Sequence, residues 1–139
     1  MPSQKPSKVI IDTNLWISFL IGKELQNLKE LIVSEKIRLV TTDQLISELK
    51  IVSARPKLQK YFDQEKVIEL ISLLDIVSEK IKIKKIEQIS RDPKDDFLLA
   101  LSKESKANYL ITGDNDLLTI RVYGLTEIVS INEFKKKVK

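Results

Sequence analysis

The stretch "VIIDTNLWISFL", residues 9–20, decides how the chain is read. Val9, Ile10 and Ile11 are apolar and β-branched, which suits a buried strand. A second apolar run, "NLWISFL", reads as a buried helix. Asp12 stands at the join, where an Asp or Asn satisfies the free N–H groups that open a helix. Capping alone accounts for one such acid. A set of acids at equivalent joins asks for a second explanation.

Across the whole chain, strands are expected at 8–12, 37–41, 76–81, 108–112 and 127–130. Helices are expected at 14–20, 24–35, 43–52, 64–74, 96–106 and 131–137. Strands alternating with helices predict an α/β fold with a parallel sheet covered on both faces, its crossovers right-handed. Ligands in such sheets bind beyond the carboxyl ends of the strands. Residues 1–139 read as one domain, with a flexible basic arm at 1–7 and a basic tail at 135–139. "MPSQKPSK" lacks a signal peptide's apolar core, and no apolar run approaches the roughly 20 residues of a membrane span, so a cytoplasmic protein is expected.

Composition narrows the chemistry. The chain has no Cys and no His. Thiolate and imidazole metal sites, Cys nucleophiles and the usual His base are all excluded. Catalysis must use carboxylates, hydroxyls, amides, Lys, Arg or Tyr. The net charge of +4 and pI near 9.2 favour an anionic partner, although a solvated Lys-rich surface gives the same numbers.

The helices locate the acids. In "TTDQLISELKIV" Thr42 is a good N-cap, Leu45, Ile46, Leu49 and Val52 form the buried stripe, and Glu48 lies at its edge. Arg55-Pro56 reads as a helix stop, and the next helix turns Val67, Ile68, Ile71 and Leu74 inward. In "RDPKDDFLLAL" Asp95 and Asp96 lead into a helix that is apolar around its circumference. That pattern suggests burial against the sheet and a second subunit. Asp92 and Asp95 read as turn and first-turn residues. "NYLITGDNDLL" repeats the opening design with Asp114 and Asp116.

In a parallel sheet the strand C-termini and helix N-termini share one rim. Asp12, Asp96 and Asp114 should converge there, with Glu48 leaning in. Two carboxylates about 4 Å apart repel by about 4 kcal/mol at an effective dielectric of 20. Such a cluster takes up protons or recruits a cation. Oxygen ligands without His or Cys suit Mg²⁺ or Mn²⁺.

"VIIDTNLWISFL", "LVTTDQLISELKIVSARPKL", "RDPKDDFLLAL" and "ANYLITGDNDLL", in this order and spacing, resemble the PIN-domain family. They resemble in particular the subgroup assigned as toxin components of prokaryotic toxin–antitoxin systems. The likeness runs from Val9 to Phe134. It implies a three-layer α/β/α fold with four or five parallel strands, Mg²⁺ or Mn²⁺ as cofactor, and ribonuclease activity. Carried over by position, the acids are Asp12, Glu48, Asp96 and Asp114, with Asp116 close by and Asn14 and Thr112 in support. The doublets Asp95/Asp96 and Asp114/Asp116 leave the ligands open. The resemblance also implies a cognate antitoxin and a homodimer or higher homo-oligomer.

The expected reaction is metal-dependent hydrolysis of an RNA phosphodiester that leaves a 5′-phosphate and a 3′-hydroxyl. Lys50, Arg55, Lys57, Lys60, Arg91 and Lys94 are candidates to hold the RNA backbone, and Tyr61 is a candidate to stack a base. Trp16, within "LWISFL", is expected in the core. The basic tail is expected to be solvated. Three other readings share these residues: a receiver-like phosphoacceptor domain, a non-catalytic binding module on the same fold, and a structure-specific DNA nuclease. The receiver needs an Asp at a mid-sheet strand tip, and "LVT" has none there. The DNA nuclease needs added gripping elements for which a short chain lacks obvious room.

Overall fold

A computed structural model describes residues 5–88 and 92–138. In chain order the elements are β1 (Ser7–Ile11), α1 (Thr13–Ile21), α2 (Glu24–Val33), β2 (Ile37–Thr41), α3 (Asp43–Ser53), α4 (Pro56–Gln59) and α5 (Gln64–Val77). There follow β3 (Glu79–Lys80), α6 (Pro93–Ser105), β4 (Tyr109–Ile111), α7 (Asn115–Ile120), β5 (Val122–Tyr123), β6 (Thr126–Val129) and α8 (Ile131–Lys137).

The sheet runs β3-β2-β1-β4-β6-β5. Every pairing is parallel except the β5–β6 hairpin. This is the expected α/β architecture, with helices flanking a mostly parallel sheet. The central strand β1 has Val9, Ile10 and Ile11 all buried, so both of its faces are covered. β4 beside it buries Leu110 and Ile111 completely. The sixth strand escapes the sequence pattern because it has only two residues. Gly124 at φ +60° opens the tight two-residue turn that joins it to β6, a backbone angle glycine adopts without a Cβ clash.

Several expected boundaries move. The strand expected at 76–81 is only Glu79–Lys80, because α5 continues to Val77 before Ser78 ends it. Pro56 starts the short helix α4 at its first position, where its missing N–H costs nothing. Ile68 is turned to solvent and Leu70 takes its place in the core. Ser7 of the expected arm already pairs with Ile37. Lys135–Lys137 of the expected tail close α8, where Lys137 meets Glu127 at 3.1 Å and Lys135 meets Glu24.

Trp16 lies in the core, edge-on to Phe19. α6 is buried on both sides within this one chain: Phe97, Leu98, Leu99 and Leu101 all belong to the core. Its apolar circumference therefore has an explanation that does not involve a second subunit. Among the described residues, no helix is long and apolar enough to cross a membrane.

Candidate active site

The carboxyl rim of β1 and β4 is built around one hydroxyl. Asp12 extends the β1–β4 pairing by donating its backbone N–H to Ile111 O at 3.0 Å. Its Oδ1 then accepts from Asn14 N–H at 3.3 Å and caps α1. Its Oδ2 accepts from the Thr112 hydroxyl at 2.9 Å, and the same hydroxyl oxygen accepts from Asp114 N–H at 3.1 Å. Thr112 is completely buried. Two residues a hundred positions apart in sequence are thus held in one geometry. Asp114 caps α7 through Asp116 N–H at 2.9 Å.

The third side of the rim is the N-terminus of α6. Asp92 is its N-cap, accepting from Lys94 N–H at 2.9 Å, and Pro93 fills its first position. Counting from that cap, Asp95 is the third helical residue and Asp96 the fourth. A step of one residue rotates a side chain by about 100°, and here that rotation separates the two acids. Asp95 faces Asp114, and Asp96 lines a different cleft with Lys85, Lys103 and Tyr123. Both are buried.

A polar cleft of about 150 Å³ results, lined by Asp12, Asn14, Glu48, Asp92, Lys94, Asp95 and Asp114 among others. Asp95, Asp114 and Asp116 each bring a carboxylate oxygen within 4.8 Å of the others. Burial pushes the Asp95 carboxyl up to about 7; the negative charges of Asp114 and Asp92, a hydrogen bond with Asp114 and the charge of Asp12 add to it. Glu48 leans in from α3, its Oε1 3.5 Å from Lys94 Nζ.

The structure therefore gathers Asp12, Asn14, Glu48, Thr112 and Asp114 of the expected set, with Asp116 at the edge, and it leaves Asp96 outside. Asp95, the alternative that the Asp95/Asp96 doublet left open, and Asp92, read from sequence as a turn residue, both line the cleft. The signal that distinguishes Asp95 from Asp96 is "DPK": Asp followed by Pro marks the N-cap and first position, and so sets the helical phase. Lys94 lines the cleft, and Lys50, Arg55 and Lys57 are exposed and are not among its lining residues. Arg91 lies outside the described residues. Tyr61 is exposed with Lys60 Nζ 5.2 Å from its ring centre.

The donor set suits a divalent ion. It consists of hard carboxylate oxygens crowded together, and burial, with that crowding added to it, raises the Asp95 carboxyl to about 7. A small hard cation relieves that crowding without needing His or Cys.

Comparisons with known proteins agree with this geometry. Residues 8–116 match the family model described as PIN domain. The chain is also 36% identical over 121 residues to the uncharacterized protein MJ1680 of Methanocaldococcus jannaschii, covering 82% of this chain and 75% of that one. The chain belongs to the PIN-domain family, a superfamily of nucleases.

Proposed function

We propose that the protein is a Mg²⁺- or Mn²⁺-dependent endoribonuclease. The observation that carries this reading is the convergence of Asp12, Glu48, Asp95 and Asp114 on one small polar cleft. Asp12, Asp95 and Asp114 would hold the cation, with Asp116 beside them, and Asp95 rather than Asp96 would be the ligand from α6. When bound, the cation neutralises the clustered charge so that a phosphate can enter, and it stabilises the charge that builds on that phosphate.

The chain's own residues do the rest. Thr112 holds Asp12 and the Asp114 backbone in register. Glu48 orients the attacking water and accepts its proton, and Lys94 holds Glu48 in place. The water oxygen bonds to phosphorus as the bond from phosphorus to the 3′ oxygen breaks in line. The 3′ oxygen takes a proton from solvent. The products are a 5′-phosphate and a 3′-hydroxyl.

The resemblance to toxin components extends the reading to a cognate antitoxin and to a homo-oligomer in the cytoplasm. Ile68 and Ile76, exposed on α5, offer apolar area to either partner. Growth arrest on induced expression, relieved by one neighbouring gene product, would support the toxin role; growth without arrest would remove it.

Cleavage of a labelled RNA with and without Mn²⁺ tests the nuclease reading. Asp12→Asn is expected to abolish the metal-stimulated cleavage and keep the circular dichroism of the fold. Undiminished cleavage by the folded variant would remove Asp12 from the chemistry.

A further inference from the structure

A second cleft, of about 430 Å³, adjoins the acidic one. The two share Phe97. Both also take a wall from the start of α3: Thr42, Asp43 and Gln44 face the second cleft, Leu45 and Glu48 the first. The far wall is the extended segment that follows β3. Ile81 N–H donates to Thr41 O at 2.8 Å and so continues the pairing with β2. In "KIKIKK", residues 80–85, the alternation of an extended chain packs Ile81 and Ile83 against the core. Lys82 and Ile86 stand at the opening.

The charges there do not all cancel. Lys80 is held by Asp75 at 2.8 Å and by Asp43 at 3.7 Å. Lys82 has no carboxylate partner among the described residues. The cleft thus has apolar and aromatic walls, the Gln44 amide and one uncommitted cation. Its volume falls in the roughly 300–1,000 Å³ range of clefts that take small organic ligands. Apolar walls that include one aromatic ring, beside a cation, suit a heterocyclic base that carries phosphate.

We propose that this cleft receives the nucleotide next to the scissile phosphate. The base rests against Ile83, Ile86 and Phe97, and Lys82 holds the phosphate on its outer side. The assignment rests on the nuclease reading, because it takes its occupant from the acidic cleft across Phe97. It makes Lys82, rather than the lysines and arginines of 50–60, the cation that places the substrate.

Affinity for a fluorescently labelled single-stranded oligoribonucleotide, measured by anisotropy in Ca²⁺, tests the proposal. Lys82→Glu should weaken binding about tenfold, and Lys84→Glu, an equal charge change two residues along and off the cleft wall, less than about twofold. An abasic site walked along the strand should lower wild-type affinity severalfold at one position. Equal losses in the two variants, a flat abasic profile or no wild-type binding would overturn the subsite. Selective loss in Lys82→Glu with no RNA cleavage by any form would retain the subsite and remove the nuclease.

Discussion

Asp95 and Asp96 are neighbours in the chain and serve different clefts. Asp95 faces Asp114 across the acidic pocket, whereas Asp96 lies beside Lys103 and Tyr123. Their separation gives a direct prediction. Asp95→Asn should lower metal-dependent RNA cleavage by at least about 100-fold, since it removes a group held against the reacting centre. Asp96→Asn should keep the metal response and act on thermal stability instead. Cleavage rates across a Mn²⁺ titration, with melting curves of both variants, check this.

The same acid sets a pH dependence. Asp95 ionises near 3.8 in the unfolded chain and near 7 in the fold. Below about pH 4 both states are protonated and the group contributes nothing. Between pH 4 and 7 the unfolded state loses its proton first, so stability falls as pH rises, and above pH 7 the full penalty is present. The metal-free protein should therefore melt several °C lower at pH 8 than at pH 5.5. Asp95→Asn should remove most of that difference and raise the melting temperature at pH 8. Mn²⁺ at about 100 times its dissociation constant should add about 2.7 kcal/mol to the wild type.

Thr112→Val tests the positioning of the rim. The substitution keeps the shape of a buried side chain while Asp12 Oδ2 and Asp114 N–H each lose a partner. A stability loss of about 1–3 kcal/mol is expected. Cleavage should fall about 10- to 100-fold, with the metal midpoint moved to higher concentration. Thr112→Ser should restore both. A variant that loses stability alone would limit Thr112 to a packing role.

The Lys94–Glu48 pair is largely exposed on its lysine side. Lys94→Ala should change stability by under about 1 kcal/mol. Glu48→Gln should leave the melting temperature nearly unchanged and lower the cleavage rate by at least about 100-fold. Rates and melting curves on the same preparations separate the two effects.

Much of this arrangement was legible in the residues. Asp12 reads as a cap and as a candidate ligand, and it does both: one carboxylate oxygen caps α1 and the other meets Thr112. The buried runs "VII" and "YLI" announce parallel strands because both faces of each are apolar. Phase was harder. Taking Asp96 as the helix start put it three residues later than Pro93, and the choice between the neighbours Asp95 and Asp96 is a choice between two faces. β5 was hidden by its two residues, and α7 by its six, too few for a helical period to stand out. The second cleft needs tertiary contact between α3, α6 and the segment after β3, which no local pattern reveals.

In the proposed mechanism Asp12, Asp95 and Asp114 share one divalent ion. Anomalous diffraction from a crystal soaked in Mn²⁺ measures this most directly. A peak is expected roughly 2.1 Å from carboxylate oxygens of Asp95 and Asp114, with Asp12 bound directly or through water. A crystal that binds Mn²⁺ elsewhere, or has Asp96 as the ligand from α6, would contradict it.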